Sequence, residues 1–503
     1  MASKGKVVLF HPRNLLKYNN YPSLGLIVVG SALEANGFDV RIISEVTHPL
    51  EWEEQLRREA PEALLVGITA MTTEIPGAVR AARILKQISK APIVFGGWHP
   101  TLLPEQTAAS DLVDYVIAGE GDFAMVQLAE YLSGGPVSKA DLQLMNEKVI
   151  FAKKMDCDLL PHPNYDLWPN IETFVTGYLT DRVSDFHKTM RWLPYESSRG
   201  CPQQCTFCEI QSTENWKFRP KSSRRVVEEL VTMVTKYQLT HVKIVDDNMP
   251  VAVKRMEEIA EGIIASGVTF TYDVEVRANY FRENRLITHQ VLERLKESGL
   301  RQCTLGLESG SQRVLDLMKK GLKVEDSEQA VRMIDAHGII ARCSFITGYL
   351  GETKDDLLQT VRLINRLRRY KHFTCGVQSF RPYPRTPITE QLRANKLFYE
   401  PQSLEEWTKP ENVAMFTYAE LDRRWQPNWQ LAGAVSFYNS IESGIRLGKH
   451  MLKNPTHRLL YESFASLAKI RNRLCFYGYQ VDRALYHRFH QYFFNKFELE
   501  YTD

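Results

Sequence analysis

The chain has 503 residues and carries 63 Lys and Arg against 60 Asp and Glu. At roughly 100–200 residues per domain this length suggests about three domains, and a net charge of +3 gives no reason to expect a nucleic-acid partner. No apolar run reaches the ~18 residues that cross a bilayer. The start, MASKGKVVLFHP, runs straight into a strand, so no secretory leader is read there.

Eight cysteines in so long a chain do not make a disulfide framework. Cys157, Cys303, Cys343, Cys375 and Cys475 are scattered and read as buried free thiols. A reducing cytoplasm is the expected compartment.

From residue 6 to about 134, short apolar runs alternate with helical ones. KVVLFHP, DVRIIS, ALLVGITA, PIVFGG and DYVIAGEG read as strands. SLGLIVVGSALEANG reads as a helix capped by Ser23 and stopped at Gly37. Continuous apolar strands between helices predict a five-stranded parallel sheet covered on both faces, a doubly wound, flavodoxin-like α/β domain over 1–140. Ligands of such sheets lie beyond the carboxyl ends of the strands. Those ends carry His11, the segment Thr69 to Thr73, Gly96 to Pro100, and Gly119 to Asp122.

Residues 141–190 lose the alternation. DCDLLPHPNYDLWPN reads as an ordered linker. A second series then places strands near 192–199, 241–247, 270–278, 301–308, 339–348 and 372–381. Six βα units within 191–395 predict an open (β/α)6 partial barrel, short of the eight that close one. Residues 396–503 read as a helical region; 421–503 alone hold 16 Phe, Trp or Tyr and 12 Lys or Arg.

After the first strand of the second series stands RGCPQQCTFCEI, with Cys201, Cys205 and Cys208 in one loop. Three thiolates fill three corners of a four-iron cluster and leave the fourth iron open to a small chelator. Zinc needs a fourth protein ligand. No Asp or His lies within ten residues of the loop, and Glu196 and Glu209 are the nearest carboxylates on either side.

The spacing C-x3-C-x2-C, with the aromatic Phe207 before the last cysteine, resembles the signature of the radical S-adenosylmethionine superfamily. That resemblance implies a [4Fe-4S] cluster and S-adenosylmethionine bound at its open iron. It also implies strand-end contacts to that cofactor. Asp246 and Asp247 would accept from its amino group, and Glu275 and Arg277 would point toward the same rim, with Arg277 gripping its carboxylate. Glu308 and Ser309 would approach its ribose or methionine end, and Gly348 would let the backbone approach its adenine.

Ahead of the barrel, YPSLGL, GGWHPTLLPE and YVIAGEGD resemble the cobalamin-binding domain of cobalamin-dependent radical S-adenosylmethionine enzymes. The resemblance implies cobalamin contacts at Leu24, Gly25, Thr69, Met71, Thr72, Thr73, Gly96, Gly97, His99, Gly119, Glu120 and Gly121. Domains that supply a histidine to cobalt carry D-x-H-x-x-G after the first strand. Here that loop reads HPRNLLKYNN, so cobalamin is expected without a histidine ligand.

The implied activity is methylation of an unactivated sp3 carbon through a 5′-deoxyadenosyl radical and methylcobalamin. An oxidative ring closure of the anaerobic magnesium-protoporphyrin ester cyclase type stays open beside it. A non-catalytic cobalamin or metal sensor would cleave no S-adenosylmethionine. No catalytic acid or base is identified; Cys303, Cys343 and Tyr383 are the candidate radical-quenching donors. The expected partners are a small-molecule substrate, apolar and of hopanoid-like lipid or tetrapyrrole size, and an electron donor such as flavodoxin or ferredoxin. The aromatic, basic tail YHRFHQYFFNKFELEY carries a further expectation, peripheral membrane contact.

Overall fold

A computed structural model describes residues 3–14, 22–175, 190–214, 217–282, 286–417, 425–443 and 455–488. The first sheet contains β1 (Lys6–His11), β2 (Asp39–Ser44), β3 (Ala63–Thr69), β4 (Ile93–Gly96), β5 (Tyr115–Ala118) and β6 (Val149–Phe151). All pairings are parallel and the order is β2-β1-β3-β4-β5-β6. The sheet therefore has six strands rather than the expected five. The extra one is a three-residue run inside the linker, which extends the sheet beside β5.

The order 2-1-3-4-5 places the topological switch between β1 and β3, where such sheets bind ligands. Helices cover both faces, as the near-continuous apolar strands require. The first, Leu24–Ala35, is capped as its sequence predicts: Ser23 Oγ accepts from the Leu26 amide at 3.4 Å, and Gly37 follows at φ +88°.

The second sheet contains β7 (Trp192–Tyr195), β10 (His241–Ile244), β11 (Thr271–Val276), β12 (Leu300–Glu308), β13 (Ile340–Thr347) and β14 (Phe373–Ser379). Each strand lies parallel beside its predecessor, from β7 at one edge to β14 at the other. Between β7 and β10 the chain makes a two-stranded antiparallel ladder, β8 (Ser198–Arg199) with β9 (Arg219–Pro220). The helix Trp429–Glu442 lies along the β14 edge, where Ser436 Oγ donates to the Val377 carbonyl at 2.7 Å. At the β7 edge the linker closes in, with Tyr165 donating its hydroxyl to the Pro194 carbonyl at 2.5 Å.

One apolar cluster runs from Val7 and Leu9 of the first sheet through Tyr165, Trp168 and Phe174 to Leu193 and Val242 of the second. Another cluster, on the opposite face of the first sheet, takes in Leu404, Trp407 and Phe416 from beyond the barrel. The two sheets therefore share core. Of the tail segment singled out in the sequence, residues 486–501, those from 489 onward lie outside the described residues.

Candidate active site

The cysteine loop leaves β7 at the barrel rim and is tied down from every side. Asp246, buried just past β10, accepts from the Ser197 amide at 2.6 Å and from the Ser197 and Ser198 hydroxyls at 2.5 Å each. Both of its oxygens thus serve the entry to the loop. Asp247 accepts from the Gly200 amide at 2.9 Å, and Gly200 turns at φ +82°, which only glycine adopts freely. Further along, the Thr206 amide donates to the Met318 carbonyl at 2.9 Å, and its hydroxyl meets Tyr349 OH at 2.6 Å. Phe207 packs against the buried cluster that includes Val314, Met318 and Tyr349, and the Lys320 ammonium stands 5.7 Å from its ring centre.

Cys205 is buried; Cys201 and Cys208 are half-buried. Burial pushes the Cys208 thiol up to about 12 and raises that of Cys201, so ionising these thiols requires a metal to displace the proton. Among the described residues no three His, Cys, Asp or Glu side chains gather around one ion. A cube asks for something different, since each thiolate binds its own iron.

Two donors point at the sulfurs. Asn248 Nδ2 lies 3.7 Å from Cys201 Sγ and 2.8 Å from Tyr280 OH. Arg277 Nη1 lies 3.8 Å from Cys205 Sγ, and its Nη2 reaches the Lys320 carbonyl. Asn248 Oδ1 and Arg277 Nε are buried without a hydrogen-bond partner. Buried polar atoms are nearly always satisfied, so polar orphans beside thiol sulfurs fit a site built for a polar, sulfur-bound group.

The other expected cofactor contacts fall into two groups. Glu308, at φ +61° after a register shift in β12, accepts from the Lys320 ammonium at 2.7 Å on the rim. Glu275 faces the barrel interior among Thr304, Lys243 and Arg342, and burial raises its carboxyl. Ser309 and Gly348 are engaged by the protein itself. The Ser309 hydroxyl meets Thr360 Oγ1 at 3.1 Å and accepts from the Ser311 amide. Gly348, at φ +81°, donates its amide to Glu352 at 2.6 Å, and its carbonyl accepts from Trp425 Nε1 at 3.1 Å.

In the first domain, Met71 stands 43% exposed at the β3 end, beside the switch point. Gly25 and Gly119 are exposed, Leu24 is half-buried and Gly121 opens the helix Gly121–Leu132. A Cβ on Gly96 would meet only the Ile117 carbonyl, at 3.8 Å. At Gly97 (φ +90°) it would stand 2.7 Å from Thr69 Oγ1 and 3.0 Å from the Ala70 nitrogen. Gly97 is therefore required by strand packing, whatever binds above it. Thr72 and Thr73 are buried, and Thr72 Oγ1 meets His99 Nδ1 at 3.2 Å. His99 is fully buried, edge-on to Trp407 at 5.0 Å, and pushed down to about 3 by desolvation. His11, beside Trp168, is likewise buried and pushed down to about 4. Neither imidazole is at the surface.

Glu120 does not stand alone at its loop. It accepts from Arg199 at 2.9 Å and from Arg219, while Asp122 accepts from Arg199 at 2.6 Å and Glu196 from Arg199 at 2.7 Å. This cluster ties the β5 loop of the first domain to the residue two before Cys201. Sequence reasoning missed Arg199, Arg219, Asn248, Tyr280 and Lys320. Arg199 and Asn248 each adjoin an identified motif; Arg219, Tyr280 and Lys320 carry no local signal.

A doubly wound sheet facing a six-stranded open barrel, with a three-cysteine loop at their seam, defines the class: a radical S-adenosylmethionine enzyme with a cobalamin domain. The comparisons agree. Residues 195–364 match the model of the radical SAM superfamily, and residues 17–129 that of the B12 binding domain. An uncharacterized methyltransferase of Pyrococcus horikoshii is 31% identical over 75% of this chain and 79% of its own. The anaerobic magnesium-protoporphyrin IX monomethyl ester cyclase of Rubrivivax gelatinosus is 24% identical over 74% of this chain and 66% of its own. Among solved structures, the cobalamin-dependent S-adenosylmethionine radical enzyme OxsB superposes with a TM-score of 0.67 at 17% identity, over 94% of this chain and 72% of its own. TsrM from Kitasatospora setae gives 0.62 at 15%, over 93% and 98%. The chain belongs to the cobalamin-dependent radical S-adenosylmethionine family. Its cofactors are a [4Fe-4S] cluster, S-adenosylmethionine and cobalamin.

Proposed function

We propose that the protein transfers a methyl group to an unactivated carbon of a small molecule. The observation that carries this is the joining of the two cofactor regions. Arg199 connects the Gly119–Asp122 loop of the cobalamin domain directly to the cysteine loop. Support also comes from the methyltransferase name of the Pyrococcus relative and from the hopanoid C-3 methylase of Methylococcus capsulatus, which is 24% identical over 68% of this chain.

When bound, the cluster and S-adenosylmethionine supply a radical able to take hydrogen from carbon, and cobalamin supplies the methyl group. The chain's own residues do the positioning. Cys201, Cys205 and Cys208 hold the cluster. Asn248 and Arg277 bring N–H groups to two of the ligand sulfurs. Asp246, Asp247 and Tyr349 fix the loop, and Glu308 with Lys320 forms a charged rim for S-adenosylmethionine. Gly25, Met71, Gly96 and Gly119 edge the cobalamin. With His11 and His99 buried, neither would offer its imidazole to bound cobalamin. The substrate is a small apolar molecule, and a flavodoxin or ferredoxin delivers the electron.

The test is anaerobic incubation of the reconstituted enzyme with S-adenosylmethionine labelled on its methyl group. Label in the product supports methylation. Unlabelled product beside accumulating 5′-deoxyadenosine would instead assign a cyclase-type oxidation, the activity named for the Rubrivivax relative.

A further inference from the structure

The helix Pro455–Leu474 has two apolar faces. One packs inward. Tyr461, Ala468 and Asn472 are buried, and Tyr461 donates to the Ile441 carbonyl at 2.7 Å. The other is turned to solvent. At 3.6 residues per turn, Leu459, Ile470, Leu474, Leu467 and Leu460 fall within about 100° of arc, opposite the buried face. Leu459 is 66% exposed, Ile470 54% and Leu474 70%. The chain then turns and adds Phe476, Tyr479, Val481 and Leu485 to the exposed apolar surface. Single exposed leucines are ordinary, whereas a contiguous patch marks an interaction site.

Charge says what the patch meets. Over the described residues 455–488, Arg458, Lys469, Arg473 and Arg488 are exposed, against one exposed carboxylate, Glu462, which pairs with Arg458 at 2.9 Å. Lys469 and Arg473 fall beside the outward arc, on the side away from Leu460, with Glu462 between them on the wheel and paired with Arg458, so that border keeps a net positive charge. An apolar stripe bordered by cations suits a surface that is apolar beneath and anionic above, the interface of an anionic bilayer. No described helix is long and apolar enough to cross a membrane, and this one is seated on the protein along its opposite side.

We infer that this helix and the turn after it form a peripheral docking surface for anionic lipid membranes. The full-length protein should co-sediment with vesicles of phosphatidylcholine and phosphatidylglycerol. It should bind pure phosphatidylcholine far less, and should be released by raised salt, because screening removes the electrostatic part of the attraction. Leu467→Glu with Ile470→Glu should weaken vesicle binding about tenfold or more, since each change removes a buried apolar side chain from the interface. Lys469→Glu with Arg473→Glu leaves the apolar stripe intact and should lose selectively the preference for anionic vesicles. Circular dichroism and iron content should stay at the parent values in both variants. Failure of the parent to bind anionic vesicles would overturn the inference. So would a solution dimer that Leu467→Glu disperses, because the stripe would then face a second copy of the chain.

Discussion

The ion cluster at Arg199 makes the sharpest stability prediction. The guanidinium is 12% exposed and meets Glu120 (12%), Asp122 (6%) and Glu196 (27%). Arg219 also serves Glu120, whereas among the described residues Asp122 pairs with Arg199 alone. Arg199→Gln therefore leaves a buried carboxylate uncompensated. Removing one partner of a buried pair costs about 3–5 kcal/mol, against 0–1 kcal/mol for an exposed pair. The penalty should fall on the contact between the domains, since Asp122 stands in the first turn of a helix of the first domain and Arg199 on the β8–β9 ladder beside the cysteine loop. Urea unfolding of the reconstituted protein reads it, with Arg199→Gln, Asp122→Asn and the double variant completing a cycle. The double variant should recover most of the loss, because the unpaired charge is gone. Loss of under about 1 kcal/mol in Arg199→Gln, or strict additivity across the cycle, would show that the cluster behaves like a solvated surface pair.

Other expectations follow from single sites. Asn248→Ala removes an N–H donor from Cys201 Sγ and should lower the cluster reduction potential by roughly 40 mV, the equivalent of a hydrogen bond of ~1 kcal/mol; anaerobic potentiometry reads the shift. Gly97→Ala forces a side chain into a left-handed position against Thr69 and Ala70 and should cost about 1–3 kcal/mol in thermal unfolding. Burial raises the Glu352 carboxyl to about 8, so the folded state holds a proton that the unfolded chain releases above its ordinary value near 4.5. This contribution to stability is present at low pH, falls by ~1.4 kcal/mol per pH unit across that window, and is gone once pH passes 8. Glu352→Gln should flatten the dependence of the urea midpoint between about pH 6 and 8. Cys201→Ala, Cys205→Ala and Cys208→Ala should each strip the reconstituted protein of its visible iron–sulfur absorption while leaving the far-ultraviolet circular dichroism in place.

The first sheet was legible because parallel strands covered on two faces are apolar nearly throughout. The second carries polar residues such as Asp273 and Glu275 along its strands and was legible from the regular alternation of strand and helix. Val149–Phe151 escaped because three residues among Asp, Asn and Pro make no periodic signal. The three cysteines were legible from spacing alone. The contacts that support them were not, because they join residues far apart in sequence. Asp246 sits where a cofactor amino group was expected, yet Ser197 and Ser198 occupy its oxygens. Glu120 read as an edge for the corrin, yet its partners are two arginines about 80 and 100 positions away. Local pattern gives a strand and its end; which side chain from another domain arrives there depends on how the domains pack.

Trp407 returns from beyond the barrel to lie against His99, and Gln106 accepts its indole N–H at 2.7 Å. With Leu404 and Phe416 it completes the far side of the opening sheet. A gene fragment ending in the linker would thus lack part of its own interior. Grafting the first 175 residues onto another catalytic barrel would demand that this returning strap travel too.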